Sequence, residues 1–197
     1  PNVVLVNAQF PVQNTADLIA LAKKEKNSVA YASSGNGSAQ HLAGALFESI
    51  TGVDMVHVPY KGAAPALNDV IGGQVPVFFG NLASTLQHVQ SGKLRALAHW
   101  GQGRLEALPG VPALRDQGLA AEYAQWSGLF VPAATPEPVA QRLRAASRMA
   151  SQDARVREVI HNAGSPVLYQ DTPDFEKYVQ QDARHMVDVV RRMGKVQ

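Results

Sequence analysis

The sequence lacks several features that would assign it to a common class of protein. It has no cysteine in 197 residues, which excludes a disulfide or a thiolate metal site built within this chain. No run of about 18 apolar residues occurs, so the sequence predicts no membrane-spanning helix. Charged residues make up only 17% of the chain, and the net charge is +2 at pH 7. Because this charge is small and dispersed, no nucleic-acid partner is expected.

Motifs for nucleotides and metal ions are missing as well. The Walker pattern GxxxxGK[ST] is absent, and the stretch GNGSAQ lacks the third glycine of a dinucleotide fingerprint. The six histidines show no HxxxH or HExxH spacing, and no carboxylates are paired at the spacing of metal ligands. We therefore expect neither a cofactor nor a metal ion.

What the sequence does contain is a regular alternation of short apolar runs and helical periodicity. Hydrophobic residues make up 46% of the chain, enough for a packed core. The opening PNVVLV reads as a strand, and further apolar runs predict strands over 29–33, 55–59, 75–79 and 94–99. Periodicity and capping residues predict helices over 15–24, 38–50, 65–71 and 83–90. Single helices between strands are typical of an α/β fold with a mostly parallel sheet covered by helices on both faces.

The last third of the chain has a different pattern. Segment 126–138 predicts an apolar strand that runs into a proline-marked helix start, and PVLY at 166–169 predicts a short strand. Helices are predicted over 137–151, 153–163 and 173–193. We interpret these as surface helices that pack on a sheet.

The carboxyl ends of the predicted strands point to a binding site, because ligands of parallel sheets bind at that edge. These ends are small, polar or glycine-rich, and they read SSGNGS at 33–38, PYKG at 59–62, GNL at 80–82 and HWG at 99–101.

The loop YASSGNGSAQH, residues 31–41, is suited to hold an anion. If Ser38 caps the following helix, the amides of Ala39 to His41 lack partners within the helix. The helix dipole adds about half a positive charge there, and Gly35 and Gly37 let the backbone approach a ligand closely. The residues alone also fit an ordinary strand-to-helix turn with a serine cap.

His41 lies in the first helical turn, where the dipole disfavours imidazolium, so we expect a neutral donor to a ligand oxygen or a packed side chain. A serine hydrolase that uses Ser33, Ser34 or Ser38 with His41 is one alternative function, although no GxSxG elbow occurs. The effector-binding domain of a transcription regulator is the other.

Several stretches together resemble one family. SSGNGSAQH, HVPYKG, PALNDVIGGQ and GLFVPAATP occur in the order and spacing of the Bug family, the TctC-like substrate-binding proteins of tripartite tricarboxylate transporters. The resemblance covers essentially the whole chain. It implies a periplasmic solute receptor of the periplasmic binding protein type II-like fold, with two α/β lobes that close on the ligand.

The resemblance also implies the ligand, the partners and the site. The ligand would be a dicarboxylate, a tricarboxylate or a related organic acid, and the partners would be membrane transporter subunits or a sensor protein. No enzymatic activity is implied. The ligand contacts of this chain would be Ser33, Ser34, Gly35, Asn36, Gly37, Ser38 and His41, with Asn81 at the next strand end.

The division into lobes follows from the same resemblance. Residues 11–122 would form the second ligand-binding lobe, and 1–10 and 123–197 the remaining strands and C-terminal helices of the first lobe. The block that opens the first lobe of the family would precede Pro1, so we expect that the first lobe is incomplete. Uncovered helices and a sheet edge would then promote self-association.

Overall fold

The computed structural model describes residues 2–101, 103–119 and 123–193 of the chain. Within those ranges it has five β-strands and seven α-helices, and a 3-10 helix at Arg115–Gln117. The strands are β1 (Asn2–Asn7), β2 (Ala30–Ser33), β3 (Val56–Pro59), β4 (Val77–Asn81) and β5 (Leu94–His99). The helices are α1 (Thr15–Lys24), α2 (Ala39–Thr51), α3 (Ala63–Ile71), α4 (Leu82–Gln90), α5 (Glu137–Gln152), α6 (Ala154–Asn162) and α7 (Asp174–Met193).

The five strands form one sheet in the order β3-β2-β4-β1-β5. β2 pairs in parallel with β3 and β4, whereas β1 pairs antiparallel with both β4 and β5. Because β4 and β5 both oppose β1, they run in the same direction as each other. Four strands are therefore parallel, and the prediction of a mostly parallel sheet is confirmed.

β1 lies between β4 and β5 in the sheet, and Val3 pairs with Gly80 on one side and His99 on the other. All six residues of β1 are buried, because the apolar run is covered on both faces. Pro1, and Glu122 at the other predicted boundary, lie outside the described residues. The division into a second lobe of residues 11–122 and a first lobe of 1–10 and 123–197 stays a prediction.

Helices cover both faces of the sheet. On one face, Val4 and Val6 of β1 join a core cluster with Leu18 of α1 and Phe47 of α2. On the other face, the intervening strand residues pack against α3 and α4 in a second cluster, which includes Val3, Leu5, Val70 and Leu82. Because successive side chains of β1 point to opposite faces of the sheet, β1 contributes residues to both core clusters.

Local capping explains why the helices begin and end close to their predicted bounds. The Asn14 side chain accepts a hydrogen bond from the amide of Asp17 at 2.8 Å, and the Asp17 carboxylate accepts from the amide of Gln13 at 2.9 Å. α2 begins after Ser38 and ends at Gly52, which takes a left-handed conformation with φ of 67°.

The C-terminal segment contributes helices but no strand. The strands predicted within 126–138 and at 166–169 are wrong, since both stretches are irregular in the structure. A strand needs a hydrogen-bonding neighbour, and in the described part of the chain no strand pairs with either stretch. Their apolar side chains stay outside the core: Leu129 is 65% exposed and Leu168 is 82% exposed.

α7 connects the C-terminal segment to the sheet. Its buried Val189 and half-buried Met186 join the core cluster that contains α2. Trp126 donates a hydrogen bond from Nε1 to a carboxylate oxygen of Asp182 on α7 at 2.9 Å. No helix within the described ranges is both long and apolar enough to cross a membrane.

Candidate functional site

The carboxyl ends of β2, β3, β4 and β5 meet at one edge of the sheet, because these four strands run in the same direction. α2, α3 and α4 each begin just beyond one of these strand ends. Every helix that starts here directs the positive end of its dipole to the same edge. The structure therefore gathers several anion-favouring ends at the place where the sequence predicts a site.

The loop between β2 and α2 is shaped by two glycines. Gly35 and Gly37 have φ of 130° and 73°, which side chains rarely adopt. A Cβ on Gly35 would lie 3.3 Å from the carbonyl oxygen of Tyr60, so this glycine also permits a close approach to the loop after β3. The amide of Gly62 donates to the carbonyl of Ser34 at 3.3 Å. These contacts join the two loops into one surface.

Several amides of this loop already have acceptors. Gly35 donates to Ser33 Oγ at 3.1 Å, Gly37 donates to His41 Nδ1 at 3.0 Å, and His41 donates to Ser38 Oγ at 3.3 Å. Ser38 caps α2 as predicted and accepts the His41 amide hydrogen, so this amide is not available to a ligand. Among the described residues, no acceptor is found for the amides of Ala39 and Gln40 in the first turn of α2.

The predicted serines occupy three different environments. Ser33 is fully buried, and its Oγ lies 3.1 Å from the carbonyl oxygen of Gly35 and 2.6 Å from Nε2 of His57. The Ser34 hydroxyl is half-buried and donates to Oε1 of Gln40 at 2.6 Å. Ser38 caps α2. Ser33 therefore supports the loop from below, whereas Ser34 and Ser38 lie at its surface, where Asn36 and Gly37 are exposed.

His41 stacks face to face on His57, with ring centroids 3.8 Å apart and planes 2° apart. Burial lowers the pKa of His41, and burial together with the adjacent His41 lowers the pKa of His57 to about 4. Both rings are therefore neutral at pH 7. Because Nδ1 of His41 accepts the Gly37 amide hydrogen, the ring proton of neutral His41 lies on Nε2.

Sequence reasoning missed His57. It lies on β3 opposite Tyr31 of β2, and the Tyr31 ring stacks on it with centroids 5.1 Å apart. The available signal was a histidine in the middle of the apolar run MVHVP. Its neighbour His41 is 16 residues away in the sequence, so only the pairing of β2 with β3 and the start of α2 bring the two rings together.

Asn81 ends β4, the strand next to β2 in the sheet. Its Oδ1 accepts the amide hydrogen of Ala83 at 2.9 Å and so caps α4, while Nδ2 donates to Oε1 of Gln125 at 2.9 Å. Tyr123 crosses the same edge, and its hydroxyl donates to the carbonyl oxygen of Ala39 at 3.2 Å. The segment 123–125, here called the crossing segment, therefore passes over the starts of both α2 and α4.

A cavity of about 2110 Å³ opens between this edge and the C-terminal helices. Its lining includes Asn81, His99, Trp100, Tyr123 and Trp126. Of the eight residues predicted as ligand contacts, only Asn81 lines it. The loop from Ser33 to His41 does not line the cavity, and Tyr123 contacts the start of α2 through the carbonyl oxygen of Ala39.

The geometry does not favour a hydrolase. His41 accepts from the Gly37 amide rather than from a serine. Among the described residues, Ser33 forms a hydrogen bond with an imidazole, and it has no exposed surface. A nucleophile has to reach its substrate, and its base has to be oriented by a third group. Among the described residues, no carboxylate forms a hydrogen bond with either ring.

Comparison with known proteins identifies similar chains. The family model described as "Tripartite tricarboxylate transporter family receptor" matches residues 1–195. Protein BugT of Bordetella pertussis is 32% identical over 197 residues, which is 98% of this chain and 60% of BugT. The first three curated relatives are covered over 58%, 49% and 60% of their own length, so the chain spans about half to three fifths of these relatives.

Two solved structures show the likeness of fold. An R. palustris protein with adipate has a TM-score of 0.91 and 28% identity, and the match covers 98% of this chain and 65% of that protein. MatC from Rhodopseudomonas palustris with bound malate has a TM-score of 0.86 and 27% identity, with 96% of this chain and 66% of MatC covered. The predicted α/β fold and the resemblance to the Bug family are confirmed.

Proposed function

Because this chain belongs to the tripartite tricarboxylate transporter family of receptors, we propose that it is the ligand-capturing part of a periplasmic solute receptor. In this proposal it binds a small organic acid with two or three carboxylates and performs no reaction on it. The complete receptor then presents the acid to the membrane subunits of a tripartite transporter or to a sensor protein.

The observation that carries the proposal is the unsatisfied start of α2. The amides of Ala39 and Gln40 have no acceptor among the described residues, and they lie in the first turn, where the helix dipole favours an anion. Two neighbouring amides can each donate to one oxygen of a carboxylate. Nε2–H of His41 is a third donor, since Nδ1 is already occupied by Gly37.

The charge state of these donors suits a receptor that must release its ligand. No cation is needed in the loop, because amide dipoles and a neutral imidazole supply the attraction. In the complete receptor, closure of the two lobes would exclude water and strengthen these hydrogen bonds. Gln125 and Tyr123 of the crossing segment form hydrogen bonds with Asn81 and Ala39. We expect lobe closure to change these two contacts.

The class of ligand is proposed from the relatives. The two similar structures contain adipate and malate, each of which has two carboxylates. A second carboxylate would extend from the loop toward the start of α4, where Asn81 ends the neighbouring strand. We therefore expect dicarboxylates to bind better than monocarboxylates of the same length.

A titration followed by amide NMR tests this proposal. The 15N-labelled chain is titrated with malate, adipate and citrate, and with sodium chloride at matched ionic strength as the reference. We expect saturable shifts that are largest at the amides of Ala39 and Gln40. The dissociation constant should be about 1 mM, since a few dipolar contacts supply only about 4 kcal/mol. Carboxylates that shift these amides no more than chloride does would refute the proposal.

A pair of aspartate variants locates the site. Ser38→Asp keeps a good capping oxygen for α2 but adds a negative charge where the ligand carboxylate would lie, so affinity should fall at least about tenfold. Ser28→Asp adds the same charge at an exposed position near the amino end of β2 and should leave affinity unchanged. Equal affinities of the two variants would place any carboxylate binding elsewhere.

A further inference from the structure

The stacked imidazoles of His41 and His57 form a compact group beneath the loop. Tyr31 of β2 stacks on the far side of His57, with centroids 5.1 Å apart. Glu48 of α2 acts on Tyr31, since burial first and then Glu48 raise the pKa of Tyr31. The Glu48 carboxylate is itself occupied, because it accepts the Met55 amide hydrogen at 2.6 Å. No group here would favour a charged imidazole strongly enough to offset burial.

His57 is connected to the loop along its edge as well as through its face. Its Nε2 lies 2.6 Å from Ser33 Oγ, and that hydroxyl lies 3.1 Å from both the amide and the carbonyl of Gly35. One side chain on β3 therefore contacts both the glycine loop and the ring of His41. His57 therefore holds the loop and the His41 ring in place, because movement of His57 would displace the loop and this ring together.

The orientation of His41 depends on this support. Its Nδ1 accepts the Gly37 amide hydrogen, which is possible only while the ring is uncharged. Two charged rings with centroids 3.8 Å apart would repel each other, so the stack disfavours protonation of both rings at once. The remaining ring N–H of His41, on Nε2, has no acceptor among the described residues and is left for a ligand.

We propose that His57 is a positioning residue: through its stack on His41 and its contact with Ser33, it holds His41 as an uncharged N–H donor beside the amides of Ala39 and Gln40. This inference rests on the proposed carboxylate site, because it assigns the donor to the same ligand. His57 acts on the site through its two neighbours, since its Nε2 contacts the fully buried Ser33 and its ring stacks on His41.

Histidine-selective 15N NMR of the unliganded chain tests the positioning directly. In the wild type we expect His41 to show a protonated Nε2 and an unprotonated Nδ1, and to titrate below the ordinary value of about 6.5 because of its burial. In His57→Ala, water reaches the exposed ring face, so both tautomers should appear and the titration midpoint should rise. His88→Ala, at the other end of α4, is the matched control and should leave the His41 signals unchanged.

Ligand affinity gives the second measurement. Adipate and malate should bind about tenfold more weakly to His57→Ala than to the wild type, because a misoriented donor forfeits its hydrogen bond. His57→Phe keeps a stacked ring without the Ser33 contact and should recover most of the His41 tautomer. Ser33→Ala removes the contact with His57 but keeps the stacked ring, with little change of volume. It should therefore populate the second His41 tautomer less than His57→Ala does.

The outcomes are separable. A wild type that binds no carboxylate overturns the proposed function, while the His41 signals still decide the positioning role. If His57→Ala fails to fold, His57→Phe and Ser33→Ala decide it instead. The positioning role of His57 would be overturned if the folded variants kept the wild-type His41 tautomer and titration midpoint. It would also be overturned if the wild type bound adipate and the His57 variants bound it equally well.

Discussion

At the scale of single residues, His41 and His57 contribute to how the stability of the chain responds to acid. The pKa of His57 in the folded protein is about 4, and the pKa of His41 is also lowered. Their unfolded values are near 6.5. Between these values the unfolded state binds more protons than the folded state, so the free energy of unfolding rises with pH in this window. The stability that the two uncharged histidines contribute to the folded state is complete above pH 6.5, and it is lost as the pH falls toward 4.

We predict that His57→Phe reduces this acid sensitivity. The difference in unfolding free energy between pH 7 and pH 4.5 should shrink by about 1 kcal/mol, since His57 is partly open to solvent and screening weakens the effect. Urea denaturation at both pH values measures it. His161→Phe, at a largely exposed histidine, should leave the difference as it is in the wild type. If the His57 and His161 variants respond alike, burial of His57 does not set the pH response.

At the scale of elements, Gly44 allows α2 to lie directly on β2. A Cβ at this position would be 2.3 Å from Cε2 of Tyr31, well inside contact distance. Tyr31 cannot easily move away, because it is buried and packs between His57 and Phe79. The close approach of helix and strand therefore requires the glycine, and the same tyrosine carries the stack beneath the ligand loop.

We predict that Gly44→Ala destabilises the fold by about 1–3 kcal/mol through overpacking. Helix propensity acts in the opposite direction, since alanine is favoured over glycine by about 1 kcal/mol in a helix interior. Ser49→Ala, at an exposed position of the same helix, is the control and should be neutral or slightly stabilising. Urea denaturation of the three proteins decides the question. A Gly44→Ala chain as stable as the wild type would mean that α2 can shift off β2 freely.

At the scale of the whole molecule, the C-terminal segment exposes an unusual amount of apolar surface. The most exposed large apolar side chains are Leu129, Phe130, Met149, Val159 and Leu168, between 64% and 82% exposed. Leu129, Val159 and Leu168 line the same cavity, and large exposed apolar patches are rare on stable monomers. By contrast, the sheet and α1 to α4 bury their apolar residues in two well-formed clusters. Association is therefore expected to involve the C-terminal segment.

We predict that this chain self-associates and that Leu129→Ser with Leu168→Ser weakens the association at least about tenfold, because each lost apolar contact costs more than 1 kcal/mol. Sedimentation velocity at several concentrations measures the association. Gln141→Ser, at an exposed polar position of α5, is the matched control and should associate like the wild type. A wild type that sediments as a monomer at every concentration would refute this prediction.

Local chemistry alone determined much of this protein. Asn14, Ser38 and Gly52 mark the ends of α1 and α2 through hydrogen bonds and backbone angles that involve only neighbouring residues. Apolar runs placed all five strands of the sheet within two residues, and the small, polar strand ends indicated the edge where α2, α3 and α4 begin. Those features need no knowledge of distant contacts, and for that reason they could be derived from the sequence.

Only the tertiary structure decided how these pieces combine. The reversed β1 pairs with strands more than 70 residues away, and no local pattern states the direction in which a strand is inserted. The apolar stretches near Leu129 and Leu168 form no strand, since pairing depends on a neighbour and not on composition. His57 reaches Ser33 and His41 through the pairing of β2 with β3. Periodicity and caps act within a few residues, whereas strand pairing and ring stacking depend on chain closure over long separations.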